Sequence, residues 1–349
     1  MAIIAASVEE TYRRMQPKLE KLIPDVEIKY KAELVYEINR LKKEKGAVIL
    51  GHNYMEPALY ISVTDIVGDS LELSRAAAEV EGDPIIFCGV RFMAETAKIL
   101  SPHKTVLLPA EKAGCSLAES ITAEDVRNLR RKYPGVPVVT YVNTYAEVKA
   151  ETDICCTSGN AKKVIQSLNV DRIIFLPDEY LAKNVAQETG KIIIFPTKIP
   201  RKNTQSQIQY ELIGWEGKCE VHEQFTVEDI DKIRQQFPDV VVLAHPECSP
   251  EVVAASDFSG STSKMIDYVK NVNAPRYLLL TECSMGDNII AENPEKEMVR
   301  LCSIRCPHMN EITLEDTLQA LRKNQYQIEV PEEIRLRAKK SIDRMLEIR

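Results

Sequence analysis

Three cysteines are set apart by their spacing. Cys115, Cys219 and Cys306 each stand seven residues before a Thr-x-Glu-Asp tetrapeptide, at 122–125, 226–229 and 313–316. The repeat selects three of the nine cysteines in the chain. It predicts three copies of one unit, each delivering a thiol to the same place. Three converging thiolates suit a metal or iron–sulfur site with one open position. Sulfur-rich structural zinc usually shows close C-x-x-C pairs, absent here, so the dispersed thiolates favour a cubane cluster with one iron free for substrate. Cys88, Cys155, Cys156, Cys248 and Cys283 fall within or just after strand-like stretches and read as packing residues. Cys302 forms a C-x-x-x-C with Cys306 and breaks the spacing of seven. It reads as a neighbouring thiol, a redox partner or an alternative ligand, ranked below Cys306.

A second set of residues recurs with the cysteines. Apolar runs at 47–50, 136–140 and 240–244 lead straight into the triplets His52-Asn53-Tyr54, Tyr141-Val142-Asn143 and His245-Pro246-Glu247. Imidazole, phenol and carboxylate are the groups that move protons near neutral pH. His52 and His245 hold the same place in two triplets, with Tyr141 in the third, and Glu247 is a candidate general base. His222 follows Cys219 by three residues, close enough to reach a cluster-bound group. His103 and His308 read as structural. Small-residue turns follow each triplet: Gly68-Asp69-Ser70, Thr157-Ser158-Gly159 and Gly260-Ser261-Thr262. Each alone reads as a helix cap. Three aimed at one cavity would hold carboxylate or phosphate oxygens on backbone N–H groups.

The elements that must position these residues follow from periodicity. Thr-x-Glu-Asp is a helix start, a capping threonine with acids against the dipole. Val126, Leu129 and Tyr133 mark one helical face, and Ile230, Ile233 and Phe237 another; Leu314, Leu318 and Leu321 repeat it in a shifted register. The stretch 33–45 is the equivalent helix of the first unit. Helix and strand then alternate, which predicts an α/β protein with three related three-layer α/β/α domains on parallel sheets. Ligands of such sheets bind beyond the carboxyl ends of the strands, so three sheets facing one axis would share a central cavity. The expected division is an N-terminal helical extension (1–30), three α/β units (31–115, 116–219, 220–306) and a C-terminal helical segment (307–349) packing on the first unit. The stretch 196–215 reads as a loop insertion in the second.

Composition narrows the partners. A chain of 349 residues with 44% hydrophobic residues can bury a large core, and a net charge of -7 argues against nucleic acid and anionic membranes. No apolar run approaches a membrane span. The first residues lack a basic n-region, and nine cysteines without an export signal point to a reducing cytoplasm.

Taken in order, Gly51-His-Asn-Tyr54, Gly68-Asp-Ser70, Phe92-Met-Ala-Glu-Thr-Ala97, Gly114-Cys115, Tyr141-Val-Asn143, Asp153-Ile-Cys-Cys-Thr-Ser158, Cys219-Glu-Val-His222, His245-Pro-Glu-Cys248, Gly260-Ser-Thr262 and Cys306-Pro-His-Met309 closely resemble the quinolinate synthase family. The resemblance implies a pseudo-threefold arrangement around a central [4Fe-4S] cluster held by Cys115, Cys219 and Cys306, with one iron open. It implies a transferase of NAD (pyridine nucleotide) biosynthesis that condenses iminoaspartate with dihydroxyacetone phosphate, releasing phosphate and water. It also implies a transient handover from an aspartate-oxidising enzyme or an aspartate dehydrogenase. By the same pattern His52, Tyr54, Tyr141, Asn143, Ser158, His222, His245, Glu247 and Thr262 line the substrate cavity, with Ser70 and Met93 alongside. Tyr54, His245, Glu247 and His222 are the catalytic candidates, and Ser261 joins the residues expected to hold substrate oxygens. Three rivals are a closed-cluster redox carrier using Cys302, a zinc hydrolase, and a metal-free sugar-phosphate-binding protein. The triplets argue against the first, the missing C-x-x-C pairs against the second, and the cysteine repeat against the third.

Overall fold

A computed structural model describes residues 2–196, 211–299 and 304–348. Cys302, and with it any judgement on its role, lies outside the described residues, as does most of the 196–215 stretch.

Among the described residues, thirteen strands form three parallel sheets, with helices between strands. The first sheet contains β1 (Val48–His52), β2 (Ile66–Gly68), β3 (Ile85–Cys88) and β4 (Val106–Leu107), in the order β2-β1-β3-β4. The second contains β5 (Val138–Tyr141), β6 (Ile154–Cys156), β7 (Ile173–Leu176), β8 (Ile193–Ile194) and β9 (Leu212–Ile213), in the order β6-β5-β7-β9-β8. The third contains β10 (Val240–Ala244), β11 (Phe258–Ser259), β12 (Arg276–Leu280) and β13 (Met298–Val299), in the order β11-β10-β12-β13. The central strands β1, β5 and β10 are short apolar runs buried on both faces, as parallel sheets covered by helices require. The register is the same in each, with Gly51 opposite Cys88, Thr140 opposite Leu176 and Ala244 opposite Leu280.

The Thr-x-Glu-Asp repeats start helices as expected. Thr122 and Thr226 form capping boxes with Asp125 and Asp229, and the Thr313 side chain accepts from the Asp316 N–H. The helix before β1 runs over Asp25–Lys45, so one helix crosses the expected boundary at residue 30. It stops at Gly46, whose φ of 66° is the left-handed cap that glycine adopts without strain.

Two expectations change. The second sheet gains a strand from the 196–215 stretch, because β9, not β8, lies beside β7. Leu212 and Ile213 are fully buried, whereas Ile193 and Ile194 are only half-buried, so the better-covered pair takes the inner place. The C-terminal segment also reaches beyond the first unit. The helix Leu314–Lys323 packs on Asp25–Lys45, and the helix Glu332–Glu347 bridges the helix Arg91–Leu100 of the first unit to β6 and the helix Ala146–Ala150 of the second sheet. Its buried stripe Ala338, Ser341, Ile342 and Met345 carries small residues that allow this close approach.

Candidate active site

The carboxyl ends of β1, β5 and β10 open on one cavity. The first sheet contributes His52, Tyr54, Ser70, Met93 and Cys115 to its wall; the second contributes Tyr141, Asn143, Ser158 and Cys219. His222, His245, Glu247, Thr262 and Cys306 complete it. Of the residues singled out from the sequence, only Ser261 is not on the wall. It is buried, N-capping the helix Thr262–Asn271.

The three thiols sit in matching turns. Each sulfur is approached by the backbone N–H groups two and three residues on: Leu117 and Ala118 for Cys115, Val221 and His222 for Cys219, His308 and Met309 for Cys306. Burial dominates in their protein-only setting, pushing Cys115 up to about 12, Cys306 up to about 11 and Cys219 well above the usual thiol range. The N–H groups oppose that rise and favour the thiolate, the form that ligates metal. Three free thiols, each with the same pair of N–H donors on one cavity, fit an anionic sulfur-ligated group.

The triplets build a chain of close polar contacts beside them. Tyr54 Oη lies 2.5 Å from Thr281 Oγ1, which lies 3.0 Å from His222 Nε2. His222 Nδ1 is 2.7 Å from Glu247 Oε2, and the Tyr141 hydroxyl donates to Glu247 Oε1. Burial pushes the Glu247 carboxyl up, but the adjacent His222 ring and the Tyr141 hydroxyl outweigh it and keep the carboxylate. Burial, then the Glu247 charge, raises both Tyr54 and Tyr141 well above the usual phenol range, so both remain donors.

His52 and His245 are built alike. His52 Nδ1 accepts from the Tyr54 N–H at 3.2 Å, and His245 Nδ1 from the Glu247 N–H at 3.3 Å. In neutral imidazole this leaves Nε2–H as the donor. Burial lowers His52 to about 4 and His245 to about 3, so both rings are neutral donors at neutral pH. The ring of His245 stacks on His222 with centroids 4.5 Å apart.

A family model described as Quinolinate synthetase A protein matches residues 36–347. Curated relatives agree along the whole chain. "Quinolinate synthase 2" of Mesorhizobium japonicum is 51% identical over 348 residues, covering 100% of both chains. "Quinolinate synthase" of Agrobacterium fabrum is 52% identical over 99% of this chain and 92% of the relative. "Quinolinate synthase" of Xylella fastidiosa is 51% identical over 90% of this chain and 86% of the relative. The chain belongs to the quinolinate synthetase A family.

In this member of the quinolinate synthetase A family, sequence reasoning passed over Thr281, which stands behind the candidate site. Thr281 joins Tyr54 to His222 from the end of β12. Its place at a strand's carboxyl end was the available signal. Thr281→Val keeps the shape and removes the hydroxyl. It should lower kcat about 10-fold with little change in KM; steady-state rates identical to wild type would remove Thr281 from the chain.

The two depressed histidines also fix a pH response. As pH falls below 6.5, the unfolded chain binds protons that the folded chain refuses until about pH 4 at His52 and about pH 3 at His245. Stability therefore falls with pH through this window, by on the order of 3 kcal/mol for His52. Thermal midpoints of wild type and His52→Asn should converge as pH drops from 6.5 to 4; a constant gap would contradict this.

Proposed function

We propose that the protein is an enzyme that forms quinolinate from iminoaspartate and dihydroxyacetone phosphate, releasing phosphate and water, as a transferase of NAD biosynthesis. The observation that carries the reading is the meeting of three thiols in identical N–H turns with the Tyr54–Thr281–His222–Glu247–Tyr141 chain on one cavity. The names of the relatives supply the product.

Cys115, Cys219 and Cys306 would hold a [4Fe-4S] cluster. When bound, a cluster with one iron free of cysteine supplies a Lewis acid that eases loss of water. The protein's own residues handle the charges and protons. His52 and His245 present neutral N–H donors to the carboxylates and carbonyl oxygens of the substrates. Asn143, Ser158, Ser70 and Thr262 offer amide and hydroxyl groups to carboxylate or phosphate oxygens, and Met93 closes the wall. Glu247 is a buried ionised acceptor and takes protons during enolisation, while Tyr54 and Tyr141 donate them. The Tyr141 hydroxyl donates to Glu247, so a proton taken at Glu247 can restore that phenol once it has donated its own. The substrates supply their own amine, so no lysine imine is required. Nine cysteines suit a reducing compartment, and the cytoplasm is the proposed location, with iminoaspartate passed on from an aspartate-oxidising enzyme or an aspartate dehydrogenase. No helix among the described residues is long and apolar enough to cross a membrane.

A second reading rests on Cys219, His222 and Glu247, whose ligand atoms lie within 4.8 Å of one another. They could hold a single zinc ion. That reading leaves the matching turns at Cys115 and Cys306 without a purpose. Anaerobic protein given both substrates should release phosphate and accumulate quinolinate, read by chromatography. Dihydroxyacetone phosphate recovered intact would contradict the proposal.

A further inference from the structure

The three loops that carry the site are gripped from behind by buried side chains of a neighbouring sheet. The shared register makes Cys88, Leu176 and Leu280 equivalent points. Eight residues beyond them stand Thr96, Asn184 and Asn288, in the helices Arg91–Leu100, Glu179–Thr189 and Cys283–Glu292. Asn184 Nδ2 donates to Pro246 O at 2.8 Å and Cys248 O at 2.9 Å. Asn288 Nδ2 donates to Asn53 O at 3.0 Å and Met55 O at 2.8 Å. The accepting carbonyls correspond: the middle residue of a triplet and the residue just after it. The first amide reaches from the second sheet's helices to the third sheet's loop, and the second from the third sheet's to the first's.

The remaining loop is held by different chemistry. Thr96 spends its hydroxyl on Phe92 O within its own helix. Its neighbour Glu95 accepts the Ala146 N–H at 2.8 Å instead, and Lys149 Nζ, from the loop's own following helix Ala146–Ala150, donates to Thr144 O, the carbonyl matching Met55 O and Cys248 O. The exchange has a cause in the sequence. Where the second loop has Ala146, the others have Pro57 and Pro250, so only the second loop has an N–H there to satisfy. The contacts close a ring: first sheet to second loop, second sheet to third loop, third sheet to first loop. Asn184 and Asn288 are 3% and 1% exposed, and none of the four gripping residues reaches the cavity wall.

We propose that Asn184 and Asn288, with Glu95 and Lys149 taking their place at the second loop, are positioning residues that set the geometry of His52 and Tyr54, of Tyr141 and Asn143, and of His245 and Glu247. A carboxamide NH₂ has two N–H bonds to give, matching two convergent carbonyls. Without it both carbonyls are left buried and unpaired. The ring makes each loop's alignment depend on the docking of another sheet, so the site is complete only when all three are closed on one another. The inference deepens the quinolinate-forming reading and uses that activity as its readout.

Asn184→Asp and Asn288→Asp keep size and replace the donor by an acceptor. Each should lower kcat about 10- to 100-fold, the scale of a small misplacement of reacting groups, with iron content unchanged. Double variants separate positioning from general weakening. N184D acts through His245 and Glu247, so N184D/H245N should lose about as much as the worse single variant, whereas N184D/H52N should show the product of the two losses. N288D should do the reverse, saturating with H52N and multiplying with H245N. Unchanged kcat in N184D and N288D, or multiplication in all four pairs, would overturn the proposal. Should the aspartates fail to fold, N184S and N288S, shorter but still donors, enter the same four pairs. Wild type in the same assay keeps the two failures apart: no quinolinate from wild type removes the reaction and this proposal with it, whereas an active wild type with multiplying pairs removes only the positioning role.

Discussion

Glu247→Gln should retain its iron and sulfide and lose turnover by about 100- to 10,000-fold, the range for removing a general base. The carboxylate is buried, yet three side chains converge on it: His222 Nδ1 at 2.7 Å, the Tyr141 hydroxyl, and Asn143 Nδ2 at 3.4 Å. That arrangement is stable only for an acceptor, and it keeps the group ionised although burial opposes this. Glutamine matches its shape but cannot take a proton. One of its two terminal atoms also becomes a donor facing His222 or Tyr141, so the chain to Tyr54 is interrupted as well as shortened. The loss should appear in kcat more than in KM, because the group moves protons rather than holding substrate. Rates within a few-fold of wild type, with the cluster intact, would take Glu247 out of the mechanism.

Cys219→Ser should abolish quinolinate formation altogether. A serine hydroxyl is a far weaker ligand for iron than a thiolate, and it would sit under N–H groups of Val221 and His222 that are placed for a large anionic sulfur. Cys219 also begins the turn that leads to His222, so losing the ligand bond removes an anchor from the proton chain. Cys115→Ser and Cys306→Ser should match it, since their turns are built the same way. A rate above a thousandth of wild type in any of the three would show that its thiol is not an essential ligand.

The meeting of the cysteines, triplets and turns on one cavity was legible because each recurs three times, and repetition marks equivalent positions without any other information. The same reasoning explains the omissions. Thr281 has Gly89 and Pro177 at the corresponding places, neither with a hydroxyl, so nothing repeats there. Asn184 and Asn288 repeat only twice, with Thr96 as the third member, and their common task lies in carbonyl oxygens that sequence does not display. The strand β9 is two residues long in a stretch read as a loop; its placement is decided by burial against β7, a tertiary effect that local pattern does not encode. The final helix packs on the second sheet as well as the first unit for a similar reason. Its apolar stripe was readable, but Ala338 and Ser341 fit the surface of Ala146–Ala150 through shape. Ser261 shows the opposite limit: it shares a turn with Thr262, yet only Thr262 faces the cavity.

The most direct test of the account is iron and sulfide per chain after anaerobic preparation, for wild type and for Cys115→Ser, Cys219→Ser, Cys306→Ser and Cys302→Ser. The account predicts about four irons in wild type, lost in the first three variants and kept in the fourth. No iron in wild type, or loss only in Cys302→Ser, would contradict it.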